Sequence, residues 1–399
     1  MDSISITLHK SKPRSSSGFA LTAATFKSAD VISEIVNFDE GYRVLKSVHD
    51  SPAYWQTMPF DMLSKVKQLG PVTWFLTLSV ADMQWNELIR VVCDFYGETK
   101  SDEDIVEIPW TDWCHYIMRN PVLIASHIDY MFHQLFHRVI KSSPHPVAQV
   151  LDYEVKKEFQ ARGYVHFHMV IWVESAPKLD VDDDSEVITF IDNYVSSHIP
   201  DNNKPLANLV TKLRTHHHTH ACKQCGACRF SFPQVPSPQT LMSCKPESPE
   251  LLNNHKTARE ILTKVYNKPL EYDDAQPITT ETLLASLGIT VDQYISCMEI
   301  ASTKTTVILK CTPEERFTNN YNAFLLEHWQ AYMDIQLVID PYACTMYTAL
   351  YLCKADPGIS ELLRKAARKL VDTAKLRLLG NTFMNHRKLS VQEAVKCPY

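Results

Sequence analysis

EFQARGYVHFHMVIW, residues 158–172, sets two histidines, His166 and His168, one residue apart inside an otherwise apolar run. Side chains alternate across a strand, so residues i and i+2 share a face and the two imidazoles project together. The preceding run VAQVLDYEVKKEF has strand character of its own, and the ARG between the two suits a hairpin turning near Gly163. Such a hairpin brings Glu158 or Gln160 beside the histidines as an oxygen ligand. Two imidazoles and one oxygen form an open three-ligand site for a divalent cation, the pattern of a catalytic centre. With 17 histidines in the chain, some such pairs arise by chance as hydrogen-bonded polar residues, so other segments must decide.

Working outward, PVTWFLTLSV, opened by Pro71, reads as a buried strand, with Trp74 and Phe75 in the core of a sheet. VISEIVNF and FDMLSKVKQL space apolar residues three and four apart and predict helix between about residues 30 and 70. WNELIRVVCDFYG predicts a helix ending at Gly97, and a longer helix follows Asn120, with His127, His133 and His137 as packing or surface residues. The first half is therefore strands with flanking helices. After Glu174 the acidic loop APKLDVDDDSE marks a boundary, helical periodicity returns from 187 to 214, and SFPQVPSPQTLMSCKPESPE reads as a linker. Further helices are expected at 281–311, a strand at MDIQLVID, a helix through TMYTALYLCK and a basic helix through SELLRKAARKLVDTAKLRLL.

Composition narrows the function classes. A net charge of -6 argues against a protein that coats DNA nonspecifically, because neutralising phosphates needs a cationic surface. Locally the balance reverses: Arg364 to Lys388 holds eight Lys or Arg residues and one acid, Asp372. Arg364, Lys365, Arg368 and Lys369 form the segment best placed to follow a DNA backbone. No apolar run is long enough to cross a bilayer, and MDSISITLHKSKPRSSSGF lacks the apolar core of a secretory signal, so an intracellular setting without membrane contact is expected. Eleven cysteines in that setting suggest metal rather than disulfides.

Two clusters carry chemistry. DPYACTMYTALYLCK places Tyr347 and Tyr351 four residues apart on one helix face, with Lys354 three further on. One phenol can attack a phosphate while the lysine offsets charge or lowers a phenol pKa; the same stripe could equally face a core. THHHTHACKQCGACRFSFP packs seven histidines and cysteines into thirteen positions, His216, His217, His218, His220, Cys222, Cys225 and Cys228. Soft ligands at this spacing favour a closed tetrahedral Zn²⁺ site, and one arrangement joins Cys222, Cys225 and Cys228 with a single histidine. Arg214 and Arg229 flank this segment as candidate phosphate contacts.

Taken together, TWFLTLSVADMQW, EFQARGYVHFHMVIWVE, FIDNYV, THHHTHACKQ with CRFSFP, NNYNAFLLEHW and MDIQLVIDPYACTMYTALYLCK resemble the Rep endonuclease domain of Helitron transposases, a branch of the HUH single-strand nucleases. The resemblance runs from about Ser51 to the region of Glu393. It implies an α+β fold, an antiparallel sheet flanked by helices with an inserted small zinc module and additional helices. It makes FLTLS, with Thr77 and Ser79, the supporting strand, His166 and His168 the ligands of Mg²⁺ or Mn²⁺, and Tyr347 and Tyr351 the nucleophiles. His216, His218, Cys222 and Cys228 match the family's structural Zn²⁺ ligands. The implied chemistry is site-specific cleavage of single-stranded DNA through a 5′-phosphotyrosine link in rolling-circle transposition, in the nucleus. The alternative is a derivative that binds DNA without cutting it.

The expected organisation is a polar leader and helix over 1–50, the strand and HUH motifs over 51–175 and an acidic loop with a helix over 176–204. The zinc module follows over 205–245, a helical linker region over 246–310, and the tyrosine helix with the basic helix over 311–399. Helitron transposases continue into an ATP-hydrolysing helicase with a glycine-rich phosphate loop, and no such loop occurs here. A truncated element, a domesticated fragment or a partial gene sequence is therefore expected, with a helicase supplied in trans.

Overall fold

The computed structural model describes residues 58–352, apart from 160–164, 180, 221, 225–226, 245–248 and 269–277. Described residues fall into two units, Val72–Ile339 on one hand and, on the other, the segments up to Pro71 and from Asp340 onward. The chain enters through helix α1 (Met58–Leu69), then crosses into the larger unit at strand β1 (Trp74–Ser79). In β1 Trp74, Leu76 and Leu78 are wholly buried, whereas Phe75, Thr77 and Ser79 are partly exposed, the period-2 signature of a strand with one core face.

Helix α2 (Asn86–Tyr96) buries Leu88, Ile89, Val92 and Cys93 and stops at Gly97, whose φ of 70° suits a left-handed cap that only glycine adopts without steric cost. Two helices not anticipated from the sequence follow, α3 (Asp102–Val106), opened by a Ser101–Asp104 capping box, and α4 (Trp110–Arg119). Helix α5 (Pro121–Leu135) begins where the Asn120 side chain accepts from the Leu123 N–H, and continues as one wide π turn through Phe136–Ile140. Strands β2 (Val150–Phe159) and β3 (Val165–Val173) pair antiparallel, while the expected turn near Gly163 lies outside the described residues.

Helices α6 (Asp184–Tyr194) and α7 (Lys204–Leu213) lead into the two-residue strands β4 (Lys223–Gln224) and β5 (Ala227–Cys228). The stretch read as a Pro- and Ser-rich linker instead contains strand β6 (Leu241–Ser243), with Phe232, Ser237 and Thr240 buried around it. After α8 (Pro249–Asn267), α9 (Thr280–Ala285) and α10 (Val291–Ile300) comes β7 (Thr306–Ile308), inside the range expected to be helical. β6 and β7 pair antiparallel across a long sequence separation, a partnership that composition alone does not encode. Together with Val265, Leu283, Leu284, Tyr294 and Met298, Leu241 forms a second core.

Helix α11 (Ala323–Trp329) precedes β8 (Met333–Leu337), which closes a four-stranded antiparallel sheet ordered β2-β3-β1-β8. The molecule is thus α+β, with the histidine strand in an interior position. One sheet face, Trp74, Leu76, Leu78, Phe167, Met169, Ile171, Met333 and Ile335, is apolar and joins Leu88, Phe132, Val187, Val210 and Trp329 in the main core. The rings of Phe132 and Phe167 stack at 4.0 Å, and Trp329 Nε1–H donates to the Ser79 carbonyl at 2.7 Å. Burying side chains of this size stabilises the fold by about 1.5–3 kcal/mol each. Buried Asn322 ties the loops to this core, its Nδ2 donating to the carbonyls of Pro146 and Tyr194, each at 2.7 Å.

In the smaller unit the last described helix, α12 (Pro341–Leu352), packs against α1. The Asp340 carboxylate accepts from the Ala343 N–H at 2.8 Å and so caps α12. No helix among the described residues is long and apolar enough to cross a membrane.

Candidate metal centre and His/Cys cluster

Opposite the apolar face, cross-strand pairing lines up two polar rows. Glu158, His166 and Ser79 are directly opposed across β2, β3 and β1, and Lys156, His168, Thr77 and Asp334 across β2, β3, β1 and β8. Register fixes the rows: a slip of one residue would turn His166 and His168 into the core and Phe167 out of it. The apolar set Phe167, Met169 and Ile171 excludes that slip. Phe75, expected in the core, lies on the histidine face instead, where its ring stacks over His168 at 6.2 Å; Trp74 alone is a core residue.

His168 is held at both nitrogens. Its Nε2 lies 2.9 Å from Glu158 Oε2, and its Nδ1 lies 3.0 Å from Thr77 Oγ1. The His166 and His168 rings are 6.1 Å apart on the same face. Burial first, and then His168, push the His166 imidazole below its usual range, with Glu158 opposing; the neutral form that a metal ligand needs is favoured. Two ligand atoms bound at right angles about 2.1 Å from one cation are about 3.0 Å apart, so the 2.9 Å separation of His168 and Glu158 fits a shared divalent ion. Gln160, the other candidate ligand, lies outside the described residues.

Asp334 and Lys156 join this face without having been singled out from the sequence. Their signal was present, since Lys156 is i−2 from Glu158, but the partner strand of Asp334 becomes known only from the tertiary pairing. The Asp334 carboxyl is pushed up by burial, while Gln336, Arg214 and Asn320 oppose the shift. Arg214, expected at the surface as a phosphate contact, is wholly buried; its Nη2 donates to the Asn320 carbonyl at 2.8 Å and its guanidinium lies over the Tyr332 ring at 4.5 Å. Helix α7 ends at Arg214 and turns it inward, so only Arg229 of that pair is exposed.

The His/Cys segment converges on one point. His216, His218, Cys222 and Cys228 place one ligand atom each within 4.8 Å of one another, and they form the one such group of three or more metal-ligating residues found among the described residues. His216 Nε2 and His218 Nδ1 are 3.3 Å apart, Cys222 Sγ is 3.5 Å from His218 Nδ1, and Cys228 Sγ is 3.4 Å from His216 Nε2. A tetrahedral Zn²⁺ with ordinary bond lengths separates nitrogens by about 3.3 Å and nitrogen from sulfur by about 3.6 Å. The donor set fits zinc. The Thr219 N–H donates to Cys222 Sγ at 3.1 Å, Phe232 stacks on His216 at 4.6 Å, and the His216 N–H donates to the Phe317 carbonyl at 2.7 Å. These contacts hold the ligands in place as an outer shell would. His217 and His220 are not among the four converging residues, and Cys225 lies outside the described residues.

Tyr347 is a partly exposed residue on α12, 45% accessible. Tyr351 is in the same helix, and its side chain is outside the described residues, as are Lys354, Arg364, Lys365, Arg368 and Lys369.

The structure is thus an α+β scaffold with one converging four-ligand His/Cys cluster and, apart from it, a His-x-His strand whose His168 meets Glu158 while His166 shares the face without joining them in a converging group of three ligand atoms. Residues 17–171 match the family model described as the Helitron helicase-like domain at N-terminus, a stretch that contains β1, β2, both histidines and Glu158. Over that stretch the chain is similar to this domain. The comparison with curated proteins gave no match.

Proposed function

We propose that the protein is an HUH-type endonuclease and strand transferase of Helitron transposition, acting on single-stranded DNA. The observation that carries this reading is the contact of Glu158 with His168 on the same strand face as His166. Glu158, His166 and His168 hold Mg²⁺ or Mn²⁺. A bound ion of this kind supplies positive charge at the non-bridging phosphate oxygens, where charge builds during transfer. Tyr347 or Tyr351 is the nucleophile: its phenolic oxygen attacks phosphorus, the bond to the 3′ oxygen breaks, and that oxygen leaves with a proton as a free 3′-OH. The product is a 5′-phosphotyrosine ester, whose retained bond energy allows a later rejoining. Two tyrosines let one chain hold a first DNA end while cleaving a second.

In this reading the zinc module and Arg364, Lys365, Arg368 and Lys369 guide the strand, and the nucleus is where the protein works. The test is a labelled pool of random single-stranded oligonucleotides incubated with the full chain and Mn²⁺, then separated under denaturing conditions. A protein-linked label that disappears in His168→Ala and in the double variant Tyr347→Phe/Tyr351→Phe is the expected result. A parent protein that binds Mn²⁺ through His168 yet forms no adduct would overturn the nuclease reading and leave a DNA-binding derivative.

A further inference from the structure

Helix α8 has two faces of different character. Ala258 and Val265 are buried, and Val265 joins Leu241, Leu283, Leu284, Tyr294 and Met298 in the second core. Away from that core, Lys256, Arg259, Thr263 and Tyr266 follow one another at spacings of three and four residues, so they form a single stripe, and all four are exposed. Lys264 is exposed as well, and Glu260 is the one acid among the described side chains of the helix. A stripe of cations ending in an aromatic ring therefore faces solvent.

The C-terminal end of this stripe meets the His/Cys segment. Tyr266 Oη donates to the Phe232 carbonyl at 3.5 Å, and buried Arg316 ties the same two segments, its Nη2 donating to the Tyr266 carbonyl at 2.8 Å and its Nε to the Gln234 carbonyl at 3.1 Å. Two residues before Phe232, the Phe230 ring is 52% accessible, with the Arg229 guanidinium 4.5 Å from its centre. Neither the Phe230 nor the Tyr266 ring fills a core, although both are anchored to fixed backbone. The cations are equally uncommitted: among the described residues no carboxylate pairs with Arg229, Lys256, Arg259 or Lys264, whereas Arg90, Arg119 and Lys157 hold Asp102, Glu98 and Asp129. Exposed rings interleaved with unneutralised cations suit a polyanion whose own rings are free to stack. A duplex hides its base faces, and a single strand does not.

We propose that the exposed stripe of α8 and the adjoining Arg229–Phe230 pair form a binding track for single-stranded DNA, in which Phe230 and Tyr266 stack on bases while Arg229, Lys256 and Arg259 neutralise phosphates. This rests on the reading of the protein as one that acts on single-stranded DNA, and it assigns part of the binding to an element apart from the histidine strand and the tyrosine helix.

The test is fluorescence anisotropy of a labelled oligothymidylate on the zinc-loaded full chain, without added Mn²⁺, at several salt concentrations. Removing a ring that stacks on a base should weaken binding at least about 5-fold, so Phe230→Ala and Tyr266→Ala should each do so, and Tyr266→Phe, which keeps the ring, should bind like the parent. Lys256→Gln, Arg259→Gln and Arg229→Gln should each flatten the slope of log K against log salt by about 0.7, the share of one phosphate contact on a single strand. Arg90→Gln should leave the slope unchanged, because Asp102 already pairs with that charge. Parent-like affinity in Phe230→Ala/Tyr266→Ala together with parent-like slopes in the three cation variants overturns the track alone and leaves the strand bound elsewhere. Equal affinity of the parent for a duplex of the same length overturns the stacking claim. A parent with no affinity for the oligothymidylate overturns the DNA reading and the track with it. Zinc is measured in every variant, and if Phe230→Ala loses it, parent-like binding by Tyr266→Ala overturns the stacking claim instead.

Discussion

Glu158 Oε2 stands 2.9 Å from His168 Nε2, although the two residues lie on different strands and ten positions apart. That contact turns a sequence pattern into a candidate centre, because it adds an oxygen to an imidazole pair on a face the core does not need. Glu158→Ala should therefore weaken Mn²⁺ binding by at least about 10-fold, measured by calorimetry on the zinc-loaded chain. Glu158→Gln, which keeps an oxygen but no charge, should fall between parent and Glu158→Ala.

The two faces of β3 should respond differently to truncation. Phe167 is buried against Phe132, so Phe167→Ala removes a ring from a packed core and should lower unfolding stability by about 3–5 kcal/mol in urea. His168→Ala, one residue on, should cost about 1 kcal/mol, since it loses two hydrogen bonds at a partly exposed site. Equal losses would mean that the strand is packed on both sides at this end.

Zinc content gives a separate test. The purified chain should carry about one Zn²⁺ by elemental analysis, because four converging ligands close one tetrahedral site. Cys222→Ser and Cys228→Ser should lose it, while His217→Ala and His220→Ala should retain it. Chelation should lower the thermal midpoint of the parent and leave Cys222→Ser unchanged, as metal binding and folding are linked.

Asp82 predicts a pH effect. It is buried just beyond β1, and burial pushes its carboxyl up to about 6, against the backbone N–H groups of Met83 and of Asp82 itself. A carboxyl raised on folding favours the folded state below its unfolded pKa, and that advantage is lost as pH rises through about 6. Asp82→Asn should accordingly be more stable than the parent at pH 8, by about 2–3 kcal/mol, and no more stable at pH 4. Urea midpoints at the two pH values check the sign. A parent more stable than Asp82→Asn at pH 8 would contradict it.

Much of the local structure could be read from the chain. β-Branched and aromatic composition marked β1 and β3, Gly97 marked the end of α2, and Asn120 marked the start of α5, because each is a short-range steric or hydrogen-bonding preference. Strand β6 was hidden by its Pro- and Ser-rich surroundings, and its partner β7 lies beyond three helices. Short strands of this kind owe their existence to a distant partner rather than to propensity. Phe75 shows the same limit at one residue, since hydrophobicity placed it in the core and register placed it over His168.

By itself, the sequence determined that His166 and His168 share a face and that a dense His/Cys segment follows, because the period of a strand and the spacing of ligands are local properties. Only the tertiary structure decided that Thr77 and Asp334 stand on the histidine face and that Arg214 is buried, and it brought Glu158 onto His168 and the four expected cluster residues, His216, His218, Cys222 and Cys228, together. Those relations depend on which strands pair, in what register and around which core. Long-range packing sets all three.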